Sequence, residues 1–398
     1  MPLNIAVFSD SYRPYASGVV RSIDLFTKQL VEQGHHVYIF APQYRSKGGQ
    51  ELEDTKEGPA TKVFRFYSVA APRLKSFRLP VPVSPVIFRV INALDIDVVH
   101  SHTPFLMGSL ADGVSKRCNI PLVFTHHTMY HEYAHYWPGA TSLLRKIIIN
   151  WLAHYCEKCD LVVTPTQSVK DVIMPLYGLT KEPVVIPTGI ELAPFAKGDR
   201  RKLRQEFGIG PEELVLVYVG RIAEEKSPGF LLDVLVRLRK RFPVRLVYVG
   251  DGPLLNYLKY RAQELGLEGT VLFTGHRSFD EVVNAFLGGD IFVFPSRTET
   301  QGLVTLEAMA AGLPVVGINA PGTRDLVTHN VEGFLTDYSV EEFTEAVARL
   351  IADPQLRAEF SRNALRKAQR LSSAQTTNML VDQYQRLVKN KQLVHGRT

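Results

Sequence analysis

Leu214-Val215-Leu216-Val217-Tyr218-Val219-Gly220 is the stretch that decides the fold. It is short, rich in β-branched residues and closed by a glycine, so it reads as a strand covered on both faces. Gly220-Arg221-Ile222-Ala223-Glu224-Glu225-Lys226-Ser227 then leads into a helix-length amphipathic stretch. Immediately upstream, residues 191–213 are polar and charged, with Asp199-Arg200-Arg201-Lys202 at their centre, and carry no strand signal. Before them, however, strands and helices have already alternated once, with strands expected at 4–10, 36–42, 62–68, 97–102, 121–127, 160–166 and 184–189. Helices fall between most of these, for example 19–33, where Ile23, Phe26, Leu30 and Val31 share a face. Leu214 therefore marks a restart, which continues with strands at 244–250, 271–275, 291–295 and 314–318. The reading is an α/β protein of two doubly wound, Rossmann-like domains, residues 1–190 and 191–374, facing an interdomain cleft. From Ser339 onward the chain is helical, and its last helix, within about 375–398, has no sheet of its own; it is expected to cross back to the first domain.

The chain has 398 residues, 45% hydrophobic and 22% charged, with Lys+Arg 46 against Asp+Glu 40 for a net charge of +6. That length suits two or three domains with proper cores, and the composition excludes a disordered, collagen-like or disulfide-stapled chain. Cys118, Cys156 and Cys159 make no disulfide framework, which points to a reducing compartment. No basic, apolar leader precedes Asn4-Ile5-Ala6-Val7-Phe8, and no window approaches about 18 uninterrupted apolar residues. The positive balance asks for an anionic partner: nucleic acid, anionic lipid or a phosphorylated substrate.

In doubly wound domains ligands sit at the carboxyl ends of strands, beside helix N-termini, so the residues just after each strand carry the information. Arg221 and Lys226 stand there, on a loop entering a helix, and suit a diphosphate. A second segment, Pro295-Ser296-Arg297-Thr298-Glu299-Thr300-Gln301-Gly302-Leu303-Val304-Thr305-Leu306-Glu307, ends a strand, carries Glu299 on the loop and opens a helix at Gly302. Glu299 and Glu307 are placed to reach one polyhydroxylated ligand, with the Gly302, Leu303 and Val304 amides on phosphate. Walker A and G-x-G-x-x-G sequences are absent, which removes the commonest NTPase and dehydrogenase readings.

Taken in order, Gly220-Arg221 with Glu225-Lys226, Gly250-Asp251-Gly252-Pro253, Phe273-Thr274-Gly275, and Pro295-Ser296 with Glu299, Gly302, Glu307-Ala308-Met309-Ala310, Gly312 and Pro314 resemble the donor domain of glycosyltransferase family 4, retaining enzymes of the GT-B architecture. The Glu299/Glu307 pair matches the family's E-x7-E signature. The resemblance implies a nucleotide-sugar held by the second domain, with Arg221 and Lys226 on its diphosphate, Glu307 on the ribose, Glu299 on the transferred sugar, and His276 and Arg277, the residues after Gly275, at the base through backbone atoms. It implies no required cofactor and no metal. In the first domain it places Gly18 in the loop that approaches donor and acceptor, with Ser17 where many relatives have a second glycine. It also places a histidine at a strand end near the reacting carbon; in Val123-Phe124-Thr125-His126-His127-Thr128 this is His127, by its position before Thr128.

Three short matches are set aside. His131-Glu132-Tyr133-Ala134-His135 spells a zinc-protease motif but follows a strand end and runs into Trp137-Pro138-Gly139. Asp95-Ile96-Asp97 precedes its strand, at the end opposite the ligands, and Cys156-x-x-Cys159 has no second cysteine pair.

The acceptor is sought in the first domain. Residues 141–158 set Leu143, Leu144, Ile147, Ile148, Trp151 and Leu152 beside Arg145 and Lys146, while Arg73, Lys75, Phe77 and Arg78 precede an apolar run. A basic helix with Trp and Leu suits an anionic membrane surface. His127-Thr128-Met129-Tyr130, Tyr133 and His135-Tyr136 resemble the corresponding segment of bacterial diacylglycerol glucosyltransferases, which use UDP-glucose and a membrane diacylglycerol. The resemblance implies an enzyme peripheral on the cytosolic face of the membrane. The alternatives are a GDP-mannose-dependent transfer to phosphatidylinositol or a polyprenyl-linked saccharide and, in another class, a nucleic-acid-binding protein; the latter is disfavoured because no recognised module or aromatic-interleaved basic patch is present.

Overall fold

The structure, a computed structural model of the chain, describes residues 1–15, 17–44, 60–71, 77–82, 87–130 and 142–395. The chain divides into two compact units, Met1–Gly189 with the C-terminal segment from Ser373, and Ile190–Ser372.

The first unit contains β1 (Asn4–Phe8), β2 (His36–Pro42), β3 (Thr61–Phe66), β4 (Ser68–Ala70), β5 (Arg78–Pro80), β6 (Val98–Ser101), β7 (Leu122–Thr125), β8 (Leu161–Thr164) and β9 (Val184–Val185). Seven of these form a parallel sheet in the order β3-β2-β1-β6-β7-β8-β9. Ile5 pairs with Val37 on one side and Val98 on the other, the register of a strand buried on both faces. Phe8, Phe40, Val99 and Phe124 pack one face beneath the helices Leu106–Cys118 and Ser142–Lys158. Val7, Val37, Ile39 and Val123 fill the other, against Ile23, Phe26 and Leu30 of helix Gly18–Glu32 and Leu380 and Tyr384 of helix Ser373–His395. The C-terminal helix thus covers apolar sheet surface that the first 189 residues leave open.

The second unit holds β10 (Leu214–Val219), β11 (Val244–Val249), β12 (Val271–Phe273), β13 (Ile291–Phe294), β14 (Val315–Ile318) and β15 (Gly333–Thr336), a six-stranded parallel sheet in the order β12-β11-β10-β13-β14-β15. Strand order reverses between β1 and β6 in one unit and between β10 and β13 in the other, the places where crevices open at carboxyl ends.

Three features depart from the sequence reading. The expected strand 62–68 breaks after Phe66, and β4 pairs antiparallel with β5 in a separate ribbon, Ser68 opposite Pro80. β15 is an additional edge strand, four residues long and so too short to show a period. Residues 191–213, which show no strand signal, carry two short helices not expected from the sequence: Ala193–Lys197 and Lys202–Glu206 bury Phe195 and Leu203 in the second core. Arg204 bridges Asp290 at 2.6 Å and reaches the Gly288, Gly210 and Glu213 carbonyls, so the charge of this segment is partly spent on docking it.

Candidate functional site

In the second unit the carboxyl ends of β10, β11 and β12 converge on Gly220, Gly250 and Gly275. The Gly250 N–H donates to the Gly275 carbonyl at 3.1 Å, and the Gly220 N–H donates to the Val249 carbonyl at 3.0 Å. Gly250 is required: at φ 139° a Cβ would lie 2.0 Å from the Gly220 carbonyl oxygen. The loop after β10 closes in a 3-10 turn, Glu224–Lys226, and is laced to β11 by Ile222 N–H to Asp251 O at 2.9 Å. Tyr218, at the end of β10, donates its hydroxyl to the Arg221 carbonyl at 3.0 Å. Burial first, and the Glu299 carboxylate second, raise the Tyr218 phenol above its usual range, so it stays a neutral donor.

This turn brings Lys226 to the loop after β13, where its ammonium pairs with Glu299. Ser296 Oγ donates to the same carboxylate oxygen at 3.1 Å, and Thr298 Oγ1 donates to the Glu225 carbonyl at 3.1 Å. The Lys226 and Glu299 side chains are 22% and 16% exposed, whereas Arg221 is 68% exposed and lies 4.0 Å from Glu225. Gly302, with φ 72°, caps the helix Leu303–Ala310, so Leu303 and Val304 begin it and Glu307 is buried on it. Gly322, after β14, packs so tightly that a Cβ would stand 2.5 Å from Glu299 Cβ. His276, next to Gly275, is exposed. Lys226, Glu299 and Gly302 therefore share one place, with a cation, a carboxylate and free helix amides. Sequence reasoning passed over Tyr218 and Gly322 and quoted Ser296 only within the motif, with no role of its own, though the rule of reading just past each strand reaches Ser296 and Gly322.

In the first unit His127 follows β7 and is buried, its Nε2 2.8 Å from His102 Nδ1. Burial pushes His127 and His100 down to about 3 and His102 well below its ordinary range, so all three rings are neutral. His126 is turned to other work, its Nε2 3.0 Å from the Tyr177 hydroxyl. Gly18 is exposed at the first turn of its helix, which Ser17 caps by accepting from Val20 N–H at 3.3 Å. Asp10, after β1, is buried and accepts from Met107 N–H at 2.9 Å; sequence reasoning missed it.

On helix Ser142–Lys158, Leu143, Ile147 and Trp151 are 63%, 55% and 49% exposed and recur every four residues as one stripe. Arg145 and Lys146 are exposed beside them, while Leu152 is buried beneath. Trp151 Nε1 donates to the Pro104 carbonyl at 3.0 Å, next to exposed Phe105 and Leu106. Arg78 is engaged with Ser68 across the β4–β5 ribbon. Arg73, Lys75 and the 131–135 motif lie outside the described residues. Among the described residues no helix is long and apolar enough to cross a membrane, and no three His, Cys, Asp or Glu side chains gather to hold a metal ion. Cys156 and Cys159 are buried core thiols, Cys156 pushed by burial up to about 12.

Two parallel-sheet units with strand-end sites of this kind fit the GT-B architecture, and comparison with known proteins supplies the activity. Residues 16–194 match the model described as Glycosyltransferase Family 4, and residues 199–367 match Glycosyl transferases group 1. The chain is 32% identical over 362 residues to an alpha-monoglucosyldiacylglycerol synthase of Streptococcus pneumoniae, covering 89% of this chain and 80% of that one. It is 32% identical over 378 residues to the synthase of the same name from Acholeplasma laidlawii, covering 91% and 92%. The crystal structure of Anabaena HepE in complex with UDP superposes with a TM-score of 0.73 at 22% identity, covering 96% of this chain and 99% of that one. The chain belongs to glycosyltransferase family 4 and is a hexosyltransferase.

Proposed function

We propose that this enzyme transfers glucose, with retention of configuration, from UDP-glucose to a diacylglycerol-type acceptor at a membrane it visits from the cytosolic side. The observation that carries the donor half is the meeting of Lys226, Glu299 and the Gly302 helix terminus at the strand ends of the second unit. Glycosyl transfer breaks the bond between the anomeric carbon and the diphosphate, so negative charge grows on the leaving phosphate. Arg221, Lys226 and the Gly302, Leu303 and Val304 amides answer that charge, and no covalent enzyme intermediate is required. The donor's phosphate takes Lys226 from Glu299, which turns to a sugar hydroxyl, while Glu307 holds the ribose and Gly275 and His276 flank the base. The resemblance to the family also gives the Gly18 loop and His127 a part in the transfer, His127 as a hydrogen-bond partner of the sugar, and a neutral ring suits that role.

The acceptor half is supported by the two relatives' names and by the exposed stripe Leu143, Ile147 and Trp151 beside Arg145 and Lys146. Apolar side chains of this size enter the acyl boundary while cations meet anionic headgroups; Arg73, Lys75 and Arg78 add to that charge. A thermal-shift panel of UDP, GDP and ADP, free and as sugar conjugates, tests the donor. UDP and UDP-glucose are expected to stabilise most, and a stronger response to GDP-mannose would overturn the uridine assignment.

A further inference from the structure

Three imidazoles form a column in the first unit. His100 and His102 are two residues apart at the end of β6 and so face the same way. Their ring centroids lie 4.3 Å apart, and His102 stacks on His127 at 5.1 Å with 16° between the planes. His100 is held at both nitrogens, Nδ1 2.5 Å from the Tyr384 hydroxyl of the C-terminal helix and Nε2 2.7 Å from the Thr125 hydroxyl. His102 passes that anchorage on through its Nδ1, 2.8 Å from His127 Nε2. A neutral pair of rings sharing one hydrogen bond places a single proton between them, and whichever nitrogen donates, His127 Nε2 is committed.

We propose that His102 is a positioning residue, whose hydrogen bond locks the His127 ring in one orientation and one neutral tautomer and leaves Nδ1 as the ring atom that meets the sugar hydroxyl. Two stacked neighbours and a helix-borne tyrosine stiffen the column from behind. The inference rests on the assignment of His127 to the sugar, and its test therefore begins without turnover.

Ring-nitrogen NMR of the full-length protein is the first readout. His127 is expected to show one bare and one protonated nitrogen, without averaging between tautomers. In His102→Gln the amide falls near the former Nε2, out of reach of His127, and the signals should move toward a two-tautomer average. In His102→Asn the amide falls near the former Nδ1, and the single tautomer should return. Turnover should follow, with kcat for glucose transfer lower by roughly 10- to 100-fold in His102→Gln and largely recovered in His102→Asn. KM for the donor should stay within about threefold. Tautomer averaging at His127 in the unsubstituted protein, or Gln and Asn variants alike in ring signals and in kcat, would overturn the proposal. If the NMR contrast holds but UDP-glucose is no donor, the reading of function fails and the positioning stands.

Discussion

Lys226 and Glu299 lie 73 residues apart in sequence and meet because β10 and β13 are neighbours in the sheet. Each is mostly shielded from water, so removing one strands the other. Lys226→Ala is expected to lower kcat by roughly 100- to 1,000-fold and to lower the unfolding temperature; adding Glu299→Gln should restore much of the stability and none of the activity. Steady-state kinetics and calorimetry on the single and double variants check this, and a fully active Lys226→Ala enzyme contradicts the donor site. Gly250→Ala makes a different demand, because the new methyl would meet the Gly220 carbonyl. It should cost about 2 kcal/mol or more of stability and weaken nucleotide binding, readable by denaturant titration. At this scale the rule of reading just past each strand singled out Arg221, Lys226, Glu299 and Gly302, while His127 came from the resemblance to the family. Asp10 and His102 obey the same rule and were missed, since no motif calls attention to a lone aspartate or to an H-x-H at a strand end. Gly322 also lies just past a strand, but what makes it matter is a contact with Glu299, and contacts across a fold leave no local pattern.

Helix Ser142–Lys158 shows what an element adds to its residues. Its apolar positions alone do not tell a core face from an outer one; the structure does, burying Leu152, Tyr155 and Cys156 and leaving Leu143, Ile147 and Trp151 in water. Replacing those three by Ser should reduce sedimentation with anionic vesicles while leaving the unfolding temperature nearly unchanged. Added salt should weaken vesicle binding further, because Arg145 and Lys146 act through screened charge; binding that ignores both changes contradicts a membrane role for this face. The long central strands were legible because runs buried on both faces are continuous in sequence. Their ends and the small pieces were not. β15 and the β4–β5 ribbon are three or four residues each, below the length at which periodicity speaks, and the helices of 191–213 hide their few apolar residues among charges.

For the molecule as a whole, the histidine column makes stability depend on pH. His100 and His127 remain neutral in the folded state down to about 3, and His102 is likewise lowered, whereas in the unfolded chain each binds a proton near 6.5. Unfolding below 6.5 therefore takes up protons, so this contribution is complete above that value and is lost progressively as pH falls. Calorimetry near pH 5.5 in buffers of different ionisation enthalpy should register that uptake; its absence would mean the rings are already charged in the fold. The two-domain division and the return of the C-terminal helix were expected from the restart at Leu214 and from a last helix with no sheet of its own, and Leu380 and Tyr384 supply the physical reason for that return. The central claim, glucose transfer from UDP-glucose to a membrane lipid, is tested most directly by incubating the purified enzyme with UDP-glucose labelled in the sugar and vesicles containing diacylglycerol, then extracting the lipid. The account predicts labelled α-glucosyldiacylglycerol whose formation is lost in Lys226→Ala. Label that stays in the aqueous phase with UDP-glucose, while GDP-mannose labels phosphatidylinositol under the same conditions, would contradict it.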